Sequence, residues 1–301
     1  GHSVEFSLDG GATYSAATVS GTTWSYNNSA NVLADNTYNL KARVVDAAGN
    51  AGQAANQILV VDTSAPSAVQ TIAFSGITLD SGTSSTDYIT SDKNLVFNGV
   101  LGAALLAGES VQIRLNGGSW FNATSSALTW NYDHTATTLA DGAYTVDARV
   151  VDIAGNVGQT ASQVVTVDSA APTATITIAA ITSDTGIITD FKTQDTTLVF
   201  SGTLSAPLGA GEGVLFSMNG GATYFSATVT GTTWSYDNSA NNLAEGIYNL
   251  RARVSDAAGN FVNTANQTLT VDTTSPSASI AITSITTDSA IATDFITSDT
   301  T

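Results

Sequence analysis

The sequence predicts an all-β protein made of tandem two-sheet sandwich domains, about seven strands each, strung into an extended rod. Three observations carry this reading. The chain repeats itself at intervals of 104 to 106 residues, its apolar residues fall in short alternating runs, and no segment sustains a helical period.

The repeat is plainest at Val45-Asp46-Ala47-Ala48-Gly49-Asn50, which returns as Val151-Asp152-Ile153-Ala154-Gly155-Asn156 and as Ser255-Asp256-Ala257-Ala258-Gly259-Asn260. Sixteen residues after each first Asp comes a second, Asp62, Asp168 or Asp272, and four residues later a proline, Pro66, Pro172 or Pro276. Trp24, Trp130 and Trp234 keep the same spacing. A period this long fits one small domain per repeat rather than a solenoid unit. Two complete units run over 64–169 and 170–273. Residues 1–63 match the later strands of a unit, and 274–301 its opening segment. The whole reads as a window on a longer array, with ends that depend on their neighbours.

Within a unit the elements read as strands. Leu198-Val199-Phe200, Val214–Met218, Thr228–Thr230, Tyr248–Val254 and Thr268–Val271 are short, β-branched or alternating, and bounded by Gly, Asn and Asp. Tyr248, Leu250, Ala252 and Val254 point inward and Asn249, Arg251 and Arg253 outward, the pattern of a half-buried antiparallel strand. Asp9-Gly10-Gly11 and Asn219-Gly220-Gly221 supply residues that tolerate positive φ in hairpin turns. Seven or so strands in about 100 residues make an immunoglobulin-like sandwich. The chain has no cysteine, so packing alone must join the sheets. The repeated Trp is expected to anchor each core, and Tyr38, Tyr144 and Tyr248 to form a tyrosine corner.

Composition excludes several functions. Eight Lys plus Arg stand against 25 Asp plus Glu, a net charge of −17, which opposes binding to nucleic acid or anionic membrane. No apolar run reaches the roughly 18 residues of a membrane-spanning helix. Without cysteine there are no disulfides and no Cys-ligated zinc. His2 and His134 are the only histidines and belong to no recurring constellation, so an enzyme is not expected. The start, Gly1-His2-Ser3, is neither basic nor apolar, unlike a signal peptide, and His2 stands where the other copies carry Glu109 and Glu212.

The carboxylates recur in phase. Each unit opens with three Asp: Asp80, Asp87 and Asp92; Asp184, Asp190 and Asp195; Asp288, Asp294 and Asp299. On a seven-strand sandwich these lie at the pole where the last strand leaves. Glu109 or Glu212 and the Asp46–Asn50, Asp152–Asn156 or Asp256–Asn260 turn lie at the other pole, and Asp62, Asp168 or Asp272 in the linker. Loops from successive repeats therefore converge on one seam. Each close carboxylate pair costs on the order of 1 kcal/mol even in water, and eight basic residues cannot neutralise them all. Oxygen-only ligands on flexible loops suit calcium, with about 6–8 oxygens, better than magnesium. The expected site residues are these Asp and Glu with Asn50, Asn156 and Asn260, and the expected cofactor is Ca2+. No EF-hand spacing occurs, and each Asp alone would read first as a turn former.

Asp-Ala-Ala-Gly-Asn, Val-Asp-Thr-Ser-Ala-Pro, Asp-Thr-Thr-Leu-Val-Phe-Ser-Gly and Gly-Ala-Gly-Glu-Gly resemble the bacterial Ig-like repeats of giant type I-secreted surface adhesins. The resemblance implies extracellular spacer domains on a bacterial surface, calcium near the junctions, and a part in adhesion or biofilm formation. Their partners would be the neighbouring repeats. The complementary half-units at the two ends also leave head-to-tail pairing of chains open. The alternative is a ligand-binding module gripping a glycan or host protein, whose best feature is Trp120-Phe121 in place of Tyr14-Ser15 and Tyr224-Phe225. The sequons Asn122-Ala123-Thr124 and Asn27-Asn28-Ser29 are short matches without mechanistic weight.

Overall fold

A computed structural model describes residues 1–263, 267–289, 291 and 293–300. Thr301, where the opening segment of the last repeat stops, lies outside them. No helix occurs among the described residues. The chain divides into two compact units, one of Gly1–Ala171 with Asp256–Asn260, the other of Pro172–Ser255 with Phe261–Thr301.

In the first unit, residues 1–63 hold β1 (Ser3–Ser7), β2 (Ser15–Ser20), β3 (Thr23–Ser25), β4 (Asn36–Val45) and β5 (Ala55–Val61). They form one sheet in the order β3-β2-β1-β4-β5. The following repeat opens with β6 (Ile72–Ile77), β7 (Ile89–Thr90) and β8 (Val96–Leu101). It continues through β9 (Ser110–Leu115), β10 (Phe121–Asn122), β11 (Thr124–Ser126), β12 (Thr129–Asp133), β13 (Gly142–Val151) and β14 (Val157–Val167). These make a sandwich of sheets β10-β9-β13-β14-β7 and β11-β12-β8-β6. All pairings are antiparallel except β7 with the end of β14, Thr166 opposite Ile89.

The second unit repeats the plan. Its strands are β15 (Ala180–Ile181), β16 (Lys192–Thr193), β17 (Val199–Thr203), β18 (Gly213–Ser217) and β19 (Phe225–Ser226), then β20 (Thr228–Thr230) and β21 (Thr233–Asp237). It closes with β22 (Gly246–Ser255), β23 (Phe261–Asn263) and β24 (Gln267–Val271). The sheets are β15-β17-β21-β20 and β16-β24-β22-β18-β19, with β23 also on β22.

Alternation along the strands builds each core. Leu250, Ala252 and Val254 of β22 are buried while Arg251 and Arg253 are not, as the period of two requires. Phe97, Val111, Ile113, Trp130 and Val165 pack in one sandwich, and Phe200, Phe216, Trp234 and Leu269 in the other. The tyrosine corners form: the hydroxyls of Tyr38, Tyr144 and Tyr248 donate to the carbonyls of Ala34, Ala140 and Ala244 at 3.0, 2.9 and 2.9 Å. Gly10, Gly11, Gly220 and Gly221 take positive φ, so the Gly-Gly hairpin turns are those expected from sequence.

One expectation fails. Trp130 and Trp234 are core residues, 1% and 2% exposed, but Trp24 is 44% exposed. The single sheet of residues 1–63 has no counterpart of β8 or β17 to cover it. Trp130→Ala is expected to cost about 3–5 kcal/mol, the range for deleting a buried large aromatic, and to lower the melting temperature of its repeat. Trp24→Ala is expected to cost far less, because nearly half of that ring already faces water. Denaturant unfolding of the two variants measures the difference.

Candidate functional site: the carboxylate loops of each repeat

The Asp-x-Ala-Gly-Asn turn has one geometry in all copies. Asp46 Oδ1 accepts from Ala48 N and Asn50 N, and Oδ2 from Asn50 Nδ2 at 2.9 Å. In the next copy Asp152 receives Asn156 N at 2.9 Å and Asn156 Nδ2 at 2.8 Å. In the third, Asp256 receives the same two groups of Asn260. Gly49, Gly155 and Gly259 sit at φ near 90°, where a Cβ would be strained. The hydrogen bonds from Asn50 hold the Asp46 carboxyl below the usual range. For Asp152 burial works upward, and the bonds from Asn156 outweigh it.

The Asn then reaches out of its turn. Within the first unit Asn156 Nδ2 donates to the Asp62 carbonyl at 3.0 Å, and Asn260 Nδ2 to the Asp168 carbonyl at 2.7 Å. The linker Asp is thus held through its backbone. Its carboxylate turns locally, Asp62 Oδ1 taking Ser64 N, Asp168 Oδ1 Ala170 N and Asp272 Oδ1 Thr274 N, each at 3.0 Å. Pro66 packs on Gly158, where a Cβ would come within 2.8 Å of the ring.

Asp62, Glu109 and Asp152 border one cleft of about 220 Å³, with Pro66 and Ile153 on its walls. The inferred common pole of the β8–β9 loop and the Asp152 turn is therefore correct. Glu109 Oε2 accepts from Leu106 N at 2.7 Å and from Gln70 Nε2, a buried amide. In the second unit Glu212 Oε2 accepts from Gly209 N at 2.8 Å.

The opening Asp trio sits beside the exit of the last strand, as inferred: Asp168 N donates to Thr90 O at 2.8 Å. Asp80 Oδ2 accepts from Tyr88 N, Asp184 Oδ2 from Thr189 N and Phe191 N, and Asp288 Oδ2 from Thr293 N and Phe295 N. The aromatic residues Tyr88, Phe191 and Phe295 have φ of 61°, 58° and 58°, a conformation that costs roughly 1–2 kcal/mol. The Asp hydrogen bonds hold it in place. Asp87, Asp190 and Asp294 cap the amides two residues on, of Ile89, Lys192 and Ile296. Asp92 and Asp195 do the same for Asn94 and Thr197, and Asp299 N donates to Thr297 Oγ1. Ser81, next to Asp80, donates to the Ala258 carbonyl at 2.5 Å.

The second oxygen of each first Asp has no partner. Oδ1 of Asp80, Asp184 and Asp288 is buried without a hydrogen bond. Burial, then the neighbouring Asp87 charge, pushes the Asp80 carboxyl up. A buried carboxylate oxygen without a donor, beside a second carboxylate, is a desolvation cost that nothing in this loop offsets. Among the described residues, no group of three or more His, Asp or Glu side chains is placed so that it could hold a metal ion.

Sequence reasoning missed a further acidic position. Asp35 Oδ1 accepts from Thr63 Oγ1 at 2.7 Å and Asp35 Oδ2 from Ser64 Oγ at 2.8 Å; Asp141 accepts from Ser169, and Glu245 from Thr273 and Thr274. All three carboxyls are held below their usual range, Asp35 and Glu245 by these hydroxyls and Asp141 first by Lys93 at 3.0 Å. The signal was present as Leu-Ala-Asp or Leu-Ala-Glu three residues before each corner tyrosine. Trp120, the candidate ligand platform, instead carries the Arg114 and Arg149 guanidiniums at 4.6 and 4.0 Å from its ring centre. The same stacking recurs at Arg43 on Tyr14 and Arg253 on Tyr224.

The bacterial Ig-like domain profile matches residues 2–63, 69–169 and 170–273, and the chain belongs to that family. No curated protein shows significant sequence similarity to it. Among solved structures it is similar to a 1.5-MDa bacterial ice-binding adhesin at 25% identity, covering 90% of this chain and 85% of that one, with a TM-score of 0.29. A tetra-tandem repeat from the extending region of a large adhesion protein matches at 21% identity, over 90% and 66% of the two chains, with a TM-score of 0.21. The FN1–FN3 domains of chicken CNTN1 match at 7% identity, over 89% and 90%, with a TM-score of 0.38. The chain is thus a set of bacterial Ig-like repeats.

Two outcomes follow. Asn156→Ala removes the bond to the Asp62 carbonyl and is expected to destabilise the first unit by about 1 kcal/mol, seen as a lower melting temperature. Because the Asp35, Asp141 and Glu245 pKa values are depressed in the folded chain, their contribution is complete above the unfolded values near 4 and is lost as pH falls through the folded ones. The protection factors of the Thr63 and Thr273 amides, each taken against the intrinsic exchange rate at the same pH, are expected to fall over that acid window and to hold at neutral pH.

Proposed function

We propose that these repeats are spacer domains of a large bacterial surface adhesin, and that calcium ions at the repeat junctions stiffen the array. The observation that carries the reading is the unpartnered Oδ1 of Asp80, Asp184 and Asp288, buried in the same loop of three successive repeats. Asp80 with Asp87, Asp184 with Asp190, and Asp288 with Asp294 would hold an ion in each opening loop. Asp62, Glu109 and Asp152 would contribute at the cleft they share. A bound ion would neutralise carboxylates that few basic residues can reach, and would tie linker to loop. Export to the cell surface, by type I secretion, and a part in adhesion or biofilm formation belong to the same proposal. The family, the acidic composition and the lack of cysteine support it.

Binding to the folded state alone stabilises it by about 2.7 kcal/mol at a calcium concentration 100 times Kd. Calcium is therefore expected to raise the melting temperature relative to chelator and to change the maximum dimension measured by small-angle scattering. If neither changes, calcium has no part in the junctions. The pair Asp80→Asn and Asp87→Asn is expected to lower the number of ions counted by titration calorimetry. An unchanged count would place the ions elsewhere.

A further inference from the structure

Three Asn-Gly pairs occur in the chain, at Asn98, Asn116 and Asn219. In such a pair the backbone nitrogen of the glycine can reach the carbonyl carbon of the Asn side chain, because no Cβ obstructs its approach. The dipeptide alone treats the three alike. Their surroundings do not.

Asn219 is locked. Its Oδ1 accepts from Ser217 Oγ and from Thr223 N, both at 2.9 Å, and its Nδ2 donates to Thr223 Oγ1 at 2.7 Å. The nitrogen that would attack, Gly220 N, donates to the Asn249 carbonyl at 2.8 Å. Asn98 lies within β8, between β6 and β12, and Gly99 is buried there. A Cβ at Gly99 would overlap the Trp130 ring, as one at Gly202 would the Trp234 indole, so this backbone is held from both sides.

Asn116 has neither protection. Its turn is one residue shorter, with Trp120 four positions after Asn116, whereas Tyr14 and Tyr224 come five after Asp9 and Asn219. The capping Thr13 and Thr223 have no counterpart, and Arg114 stands where the sister copies have Ser7 and Ser217. Asn116 and Gly117 are the central residues of a two-residue turn, at φ of 48° and 70°, closed by Gly118 N on the Leu115 carbonyl at 2.9 Å. Both are exposed. Asn116 Oδ1 accepts from Thr145 N at 2.9 Å, but among the described residues Asn116 Nδ2 and Gly117 N have no partner. One hydrogen bond restrains the reacting groups at Asn116, against four at Asn219.

We propose that Asn116 is a site of spontaneous covalent modification, deamidation through a succinimide, with water as the co-reactant. Gly117 N gives its proton to solvent base and attacks Asn116 Cγ. A carbon–nitrogen bond forms, the bond from Cγ to Nδ2 breaks, and Nδ2 takes a proton from solvent and leaves as ammonia. Water then opens the ring at either carbonyl, leaving aspartate or isoaspartate, and nothing is oxidised or reduced. The aspartyl product keeps an acceptor for Thr145 N. The first repeat already carries a carboxylate at this position, where Asp9 accepts from Ser7 Oγ and Thr13 Oγ1 at 2.7 and 2.6 Å. The isoaspartyl product adds a main-chain carbon to a two-residue turn, whose length sets the pairing of β9 with β10. Either product makes the acidic chain more negative, and neither step involves calcium.

The test holds the full 301-residue chain at mildly alkaline pH and follows the amide-to-acid mass change at each Asn by peptide mapping. Asn116 is expected to convert roughly ten-fold faster than Asn98 and Asn219, or more, since the others must first break the bonds that hold them. In denaturant the three rates are expected to converge. Thr223→Val, a change at an exposed turn residue, is expected to speed conversion of Asn219 several-fold and to leave Asn116 as it was. Equal rates in the folded chain, or the same ratio of rates in denaturant, would overturn the proposal. An Asn219 rate unmoved by Thr223→Val would overturn the account of its protection.

Discussion

Much of the first unit turns on a side-chain amide that serves two masters. Asn156 closes its own turn by donating to Asp152 and, from the same nitrogen, holds the carbonyl of Asp62 in the linker. A linker residue otherwise has only water to bond its backbone, and water imposes no direction. With its carbonyl stapled and Pro66 seated on Gly158, the chain enters the next repeat along one path. Asn260 repeats the bond on the Asp168 carbonyl. The motif works because the Asp accepts both nitrogens of the Asn in its own turn, which fixes the Asn side chain to reach outward.

The acidic residues divide their labour in a way that charge alone does not reveal. Asp35, Asp141 and Glu245 are satisfied by hydroxyls, and their depressed pKa values record it. Asp80 is the opposite case: one oxygen restrains a left-handed Tyr88 and the other is buried with no donor. The first group acts as neutral-pH staples. The second is the kind of frustrated carboxylate from which the cation proposal starts. A repeat protein can carry −17 without falling apart because most of these charges are spent on local backbone amides.

The sandwich was legible from residues because its signals are local. Alternation in Tyr248–Val254, the Gly-Gly turns and the corner tyrosines each report a few neighbouring positions, and each was found where expected. The carboxylate loops were legible as neighbourhoods because repetition marks them. Their partners were not. Nothing in Asp-Ala-Ala-Gly-Asn says that the Asn nitrogen will seek a carbonyl more than 90 residues away, and Leu-Ala-Asp reads as an ordinary turn until Thr63 is beside it.

The repeat period, the strand pattern, the absence of thiols and the phase of every Asp are properties of the chain as a string, and they determine a series of bacterial Ig-like domains. Which oxygen of Asp80 is left without a donor, which tryptophan is covered, and why Gly99 and Gly202 must lack a Cβ were decided by tertiary structure. Those outcomes depend on distances between strands far apart in sequence. Trp24 and Trp130 sit in nearly the same local sequence, and only the presence of a covering strand separates an exposed indole from a buried one.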